Sequence, residues 1–508
     1  MRKLLILLSI LVLAQTIGAQ GNRKIKYRAD MGFYDEEFMP GAQRLVGNVA
    51  FAQGNVRGYC DSAYLYEDEN YIIAYGDKVK ILVGDSVRIF GRRAYYDGDD
   101  KIASIAVNVR LEKGKGYLLS DSLIYDTRQD IGYYVTGGKL VNEEDTMTSL
   151  EGVYYTKTDD AIAKVNVLLW NKDYRIDCEA LKYNLANNTA HFISRTHLKS
   201  TDKEFFTSSG WYNTDYEIAT LAQDVQLYNE AKTLFADSVY YDSEAEYGIA
   251  WNNATLIDTA QDFILKGNYI EYHAKGGVSI ATDSNLLILI DENRDSLFLH
   301  SDTLKLYIDD EEEMQWARAY NKVKFFRNDM QGVCDSMSLI RADSTLFMYY
   351  NPVIWSEDYQ LSGDTIKYTA LDSVNSQIEL IKSGFIVGSL YEESDFNQIK
   401  GVNITGYLKN RELYRVDVIS NAECVYYLQE EDSSLIGINT SLTSEMRVFL
   451  KKNEIQQIRF YDAPDGTVYP DDKFEEKDRK LQDFRWLPQY RPHTIEDLYI
   501  NPIPRTKD

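Results

Sequence analysis

Asp61-Ser62, Asp121-Ser122 and Asp237-Ser238 each set a carboxylate beside a hydroxyl, the raw material of an activated nucleophile. The repetition argues against that use. A catalytic pair is needed once, whereas a pair copied along a chain serves turns and backbone hydrogen bonds. The five histidines (His191, His197, His273, His300 and His493) include no helical i,i+4 metal pair. Gly-x-Ser-x-Gly is absent, and no glycine-rich loop precedes a helix. The run Asp309-Asp310-Glu311-Glu312-Glu313 is acidic but lacks the alternating ligands and glycine of a calcium loop. The expectation is a chain with no catalytic residue, no metal and no cofactor, and not an enzyme.

Tandem strands are what these residues sit on. The chain holds 40 Tyr and only 8 Pro, a composition suited to pleated surfaces. Two signals recur. The first is an Asp-Ser pair with a Tyr two or three residues after the Ser, seen in Cys60-Asp61-Ser62-Ala63-Tyr64, Ser120-Asp121-Ser122-Leu123-Ile124-Tyr125 and Ala236-Asp237-Ser238-Val239-Tyr240. Its anchors at 61, 91, 121, 151, 179, 208, 237 and 267 lie 28 to 30 residues apart. The second is Gly47-Asn48-Val49-Ala50-Phe51, echoed by Lys78-Val79-Lys80-Ile81, Asn108-Val109-Arg110-Leu111, Asn166-Val167-Leu168-Leu169, Asp224-Val225-Gln226-Leu227 and Lys322-Val323-Lys324-Phe325. Apolar residues at i and i+2 denote strands. Each unit of about 30 residues thus holds two strands, and short turns such as Asp97-Gly98-Asp99-Asp100 make neighbours antiparallel. In Ala103–Leu111 the odd positions are apolar, Val107 among them, which predicts one inward stripe along the stack.

The ends differ from the middle. Met1-Arg2-Lys3, an apolar run from Leu4 to Ala14 and small residues before Gln20 describe a secretory signal peptide over residues 1–19. The array is expected over 20–400, an irregular continuation over 401–462, and a charged, Pro-containing tail or cap over 463–508. A net charge of −24 disfavours DNA, RNA and anionic membrane surfaces as passive partners. Cys60, Cys178 and Cys334 share one repeat position, and Cys60 and Cys178 lie four units apart, well beyond disulfide reach. They read as small buried residues.

The Gly-Asn-Val-x-Phe opening, the later Asn-Val copies and the Asp-Ser/Ala-x-x-Tyr halves resemble the OstA-like family of lipopolysaccharide-transport β-jellyroll proteins. The resemblance covers roughly residues 25 to 400 and more loosely reaches 460. It implies an all-β fold: an extended twisted β-jellyroll, or folded β-trough, of tandem antiparallel strands. It also implies a periplasmic, outer-membrane-associated setting and an apolar interior that holds acyl chains. The partners implied are lipopolysaccharide or another envelope lipid, and other jellyroll components joined end to end by strand pairing. The candidate lipid-lining residues are Val49, Phe51, Val79, Ile81, Val109, Leu111, Val167, Leu169, Val225, Leu227, Val323 and Phe325. Single-jellyroll members are much shorter, and the C-terminal hundred residues here are too few for the large barrel of the outer-membrane member. The competing expectation is a structural or adaptor scaffold of the envelope without lipid transfer.

Overall fold

The computed structural model describes residues 24–34, 39–201, 203–273, 277–291, 295–309, 311, 313–390, 395–430, 434–451 and 454–500. The leader read over 1–19 and part of the acidic run lie outside them. The fold class is the expected one: tandem antiparallel strands with scarcely any helix. The chain divides between Glu230 and Ala231 into two compact units.

The repeat signal has a backbone meaning. Alternate long strands are broken in the middle by a bulge, formed in many of them by two successive residues of positive φ. Gly47-Asn48 adopt 82° and 46°, Val107-Asn108 68° and 54°, and Val165-Asn166 64° and 53°. The pairing register shifts at the same places. Asn and Asp tolerate the left-handed region better than other side chains. The Asn of each Asn-Val copy is therefore the second bulge residue, and the Val is the first to turn inward. The bulge also reverses the phase of the strand. This corrects the reading of Ala103–Leu111 as one unbroken inward alternation. Ala103, Ile105, Val109 and Leu111 are buried, but Val107 occupies the bulge and is 47% exposed.

The recurrent Asp tethers the neighbouring bulge. Asp61 Oδ2 accepts the Asp77 amide at 3.0 Å, and Asp237 Oδ2 accepts Asn253 Nδ2 at 2.9 Å. Each bulge bends its strand, so within each unit the strands form two facing half-sheets, here called the Val half and the Tyr half. In the first unit they meet where Phe51 of the Val half stacks against Tyr96 of the Tyr half at 6.2 Å. Val56–Tyr66 pairs with Gln43–Gln53 on one side and Tyr71–Val83 on the other, and this hairpin order continues to Gly116–Asp126. Beyond it some long strands give way to two short ones. Gly138–Asn142 continues the Val half while Ile131–Tyr134 continues the Tyr half.

The second unit runs from Lys232–Asp242 to Asp465–Tyr469, its later strands lengthening to 15 to 18 residues. Residues 471–500 then lie across the outer face of its Val half. Phe474 packs on Tyr427 and Ile438, Leu481 and Phe484 on Phe385 and Val387, Leu487 on Trp355, and Leu498 on Leu286 and Ile288. Three buried glutamines hold this segment, two by its backbone and one by the Arg491 side chain. Gln398 accepts Leu481 N–H at 2.9 Å, Gln360 accepts Leu487 N–H at 2.8 Å, and Gln331 accepts Arg491 Nε at 2.9 Å.

Candidate functional site

The inward stripe is the one feature every repeat contributes to. Val49, Phe51, Val79, Ile81, Val109, Leu111, Val167, Leu169 and Val225 all face inward in the first unit, none more than 3% exposed. Val323 and Phe325 do so in the second. Leu227 differs and is half-buried. In the first unit these side chains pack on one another and on a ladder of fully buried tyrosines, Tyr96, Tyr125, Tyr154 and Tyr183, spaced by 29 residues.

The tyrosine ladder belongs to a polar seam that joins the free ends of the two half-sheets. Tyr96 Oη donates to Gln53 Oε1 at 2.9 Å, and Lys113 Nζ pairs with Asp159 Oδ1 at 2.6 Å. Asn142 Nδ2 donates to Asn188 Oδ1 at 2.7 Å, and Tyr183 Oη to Asp145 Oδ2 at 2.6 Å. Burial pushes the Tyr96 phenol up to about 12 and raises Tyr125, Tyr154 and Tyr183 as well. These phenols stay protonated and act as donors at any physiological pH.

In the second unit the interior is looser. A cavity of about 410 Å³ lies between its half-sheets, walled by Ile354, Ile386, Ile399, Leu408, Val416 and Leu450. Ile399, Leu408 and Leu450 are only half-buried. Its rim carries Asn328, Glu357 and Arg411. Arg411 bridges the two halves, with Nη1 2.9 Å from Asp295 Oδ2 and Nη2 2.5 Å from Asp291 Oδ2. Sequence reasoning missed these residues. No periodic signal marks them. Nearby, Gly384 pairs with Gly401 and Gly406 with Ile378, and the side chains of Ile404, Val418 and Ile378 fill the space a Cβ would take there.

The cysteines sit on the inner face, directly opposite stripe residues: Cys60 pairs with Val49, Cys178 with Val167, Cys334 with Val323 and Cys424 with Ile399. All four are free thiols. Burial raises Cys60 to about 12 and Cys178 and Cys424 to about 11, so none is a nucleophile at neutral pH. Among the described residues no group of three His, Cys, Asp or Glu side chains is arranged to hold a metal ion. Nor is any helix there long and apolar enough to cross a membrane.

A repeated bulge, an inward Val stripe and a seam of buried tyrosines thus define the first unit. Residues 24–179 match the family model of the OstA-like proteins. The matched stretch includes the first eight candidate stripe positions, Val49 to Leu169, together with Cys60, Cys178 and three of the four ladder tyrosines. Among solved structures, the chain is similar to LptH from Pseudomonas aeruginosa, described as the LptA-homologous periplasmic component of the conserved lipopolysaccharide transport device. The identity is 17% and the TM-score 0.20, covering 22% of this chain and 82% of that one. No curated protein matches the chain.

Proposed function

We propose that the chain is a periplasmic lipid-binding conduit of lipopolysaccharide transport, holding acyl chains along an apolar interior on their way to the outer membrane. The observation that carries this reading is the apolar cavity between the half-sheets of the second unit, walled by Ile354, Ile386, Leu408 and Val416. Its volume of about 410 Å³ falls within the roughly 300–1,000 Å³ typical of small-molecule sites. The OstA-like match over residues 24–179 and the leader-like N-terminus support the same reading.

In the first unit, acyl chains would reach Val49, Val109 or Val167 only with the seam parted. Each seam hydrogen bond contributes about 0.5–1.5 kcal/mol net. Burial of acyl surface at about 25 cal/mol per Å² offsets the loss of several such bonds. Lys26–Arg28 and Met31–Tyr34 pair on one side only among the described residues and leave Met31, Phe33 and Tyr34 exposed. That edge suits strand addition by another jellyroll component.

A second reading, a structural or adaptor scaffold, draws on the solid packing of the first unit. Photo-crosslinking in living cells separates the two. A photoreactive residue at Leu408 captures lipopolysaccharide or another envelope lipid if the chain is a conduit, and one at Val109 captures it during transfer. Cells in which neither position yields a lipid adduct leave the scaffold standing.

A further inference from the structure

The overall charge of −24 disfavours anionic membranes, yet one face of the first unit departs from it. On the outer face of its Val half, from Val56 to Asn142, cationic and apolar side chains alternate from strand to strand. The row nearer the bulges reads Tyr59, Lys80, Phe90, Arg110, Leu119 and Lys139 across paired positions. The row nearer the turns reads Arg57, Leu82, Arg88, Glu112, Tyr117 and Val141. Over the first three strands the two rows are offset, so cations and apolar groups alternate along and across them; beyond, Arg110 stands beside Glu112 and Leu119 beside Tyr117.

Two adjoining grooves, of about 590 and 450 Å³, run over this face and share Asp85 and Arg88. Seven basic side chains line them against two acidic ones, Asp85 and Glu112. Glu112 is taken by Arg110 at 2.6 Å, while Lys113 and Lys115 are paired with Asp159 and Glu143. Asp61, at the bulge end of the face, is turned onto the Asp77 amide. Arg57, Lys78, Lys80 and Arg88 have no carboxylate partner among the described residues. Phe90 and Tyr117 sit beneath cations, with Lys78 Nζ 5.0 Å and the Arg110 guanidinium 3.8 Å from their ring centres. The outer face of the Val half in the second unit is apolar and covered by residues 471–500.

We propose that this cationic, aromatic-studded face docks on an anionic lipid surface. Unpaired Lys and Arg seek lipid phosphates, and Tyr and Phe rings favour the headgroup layer. An open face with an aromatic or aliphatic group beside nearly every cation fits that layer. The acidic remainder of the chain would orient the molecule, because only this face gains from approach. The proposal is independent of whether the interior carries lipid.

Vesicle flotation of the leaderless full chain tests it. Vesicles of equal parts phosphatidylglycerol and phosphatidylcholine should carry the protein upward at low salt. Pure phosphatidylcholine vesicles should not, and high salt should release it. Lys80→Glu with Arg88→Glu should lower the bound fraction about tenfold. Lys157→Glu, an exposed charge reversal in the turn after Glu151–Tyr155 of the Tyr half, should leave binding unchanged. Circular dichroism melting of each variant checks that folding is intact. The proposal falls if the wild-type chain does not float. It also falls if the double variant floats as well as the wild type, or if neutral vesicles bind equally and point to the interior instead.

Discussion

Tyr183 donates its phenolic hydrogen to Asp145 across 2.6 Å, joining the two half-sheets of the first unit at their free ends. The same carboxylate accepts Tyr174 at 2.8 Å, Asn171 at 3.0 Å and Thr214 at 3.1 Å. It is 7% exposed. Asp145→Ala would leave the buried Tyr174 phenol without its acceptor and Tyr183 with only the longer bond to Asn188 Oδ1 at 3.1 Å, at about 1–3 kcal/mol for each unsatisfied group. The urea midpoint should fall accordingly, and Tyr183→Phe, which removes one donor and keeps the ring, should cost less. Equal losses for the two variants would show that Asp145 is not the hub of the seam.

Phe51 lies flat over Gly58 on the paired strand, and Phe325 repeats the arrangement over Gly332. A Cβ at Gly58 would stand 2.0 Å from Phe51 Cζ. Gly58→Ala should therefore destabilise by about 1–3 kcal/mol through overpacking. Phe51→Leu in the same chain should recover part of the loss, giving a non-zero coupling in a double-mutant cycle. Additive effects of the two substitutions would contradict the contact.

Much of this fold is legible in the sequence because the bulge demands particular residues. Asn48, Asn108 and Asn166 fall where the backbone is left-handed, so the Asn-Val spacing reports the bend directly. The phase reversal at Val107 is not legible, since a β-branched residue at φ 68° defies its own propensity and is held there by pairing on either side. The seam is hidden for another reason. Tyr96 and Gln53 are 43 residues apart and meet only once the array has folded over. The cavity is hidden because half-buried wall residues such as Ile399, Leu408 and Leu450 follow the same alternation as packed core residues. The C-terminal segment touches its sheet through Leu481, Phe484, Leu487 and Leu498, an irregular spacing that an extended chain follows and no helix or strand template detects.

Gln360 grips that segment with both ends of its amide, accepting Leu487 N–H and donating to Arg485 O, each at 2.8 Å. The side chain is 1% exposed. Gln360→Ala should strip two backbone groups of their partners and loosen residues 485–487 locally. Hydrogen exchange at the Leu487 amide should accelerate about tenfold or more, as the loss of roughly 1–3 kcal/mol implies. Exchange in the first unit should stay unchanged. Unaltered protection at Leu487 would mean that apolar contacts alone hold the segment.

His300 lies under the end of the same segment, its ring centre 4.5 Å from that of Tyr499 and its Nδ1 2.6 Å from Asn285 O. Burial holds its pKa below the ordinary imidazole value, helped by Lys324 and Lys322 and opposed by the Asn285 carbonyl and Asp302. An ordinary histidine titrates near about 6.5, so below that pH the unfolded chain binds a proton that the folded chain resists. Stability must then fall as pH drops from about 6.5 to the folded pKa, below which the loss levels off. His191, also lowered by burial, contributes in the same direction and must be kept constant in the comparison. His300→Gln removes the titrating group. The difference in urea midpoint between about pH 7.5 and about pH 5.5 should be smaller in this variant than in the parent chain. The same difference in both would place the pH dependence elsewhere.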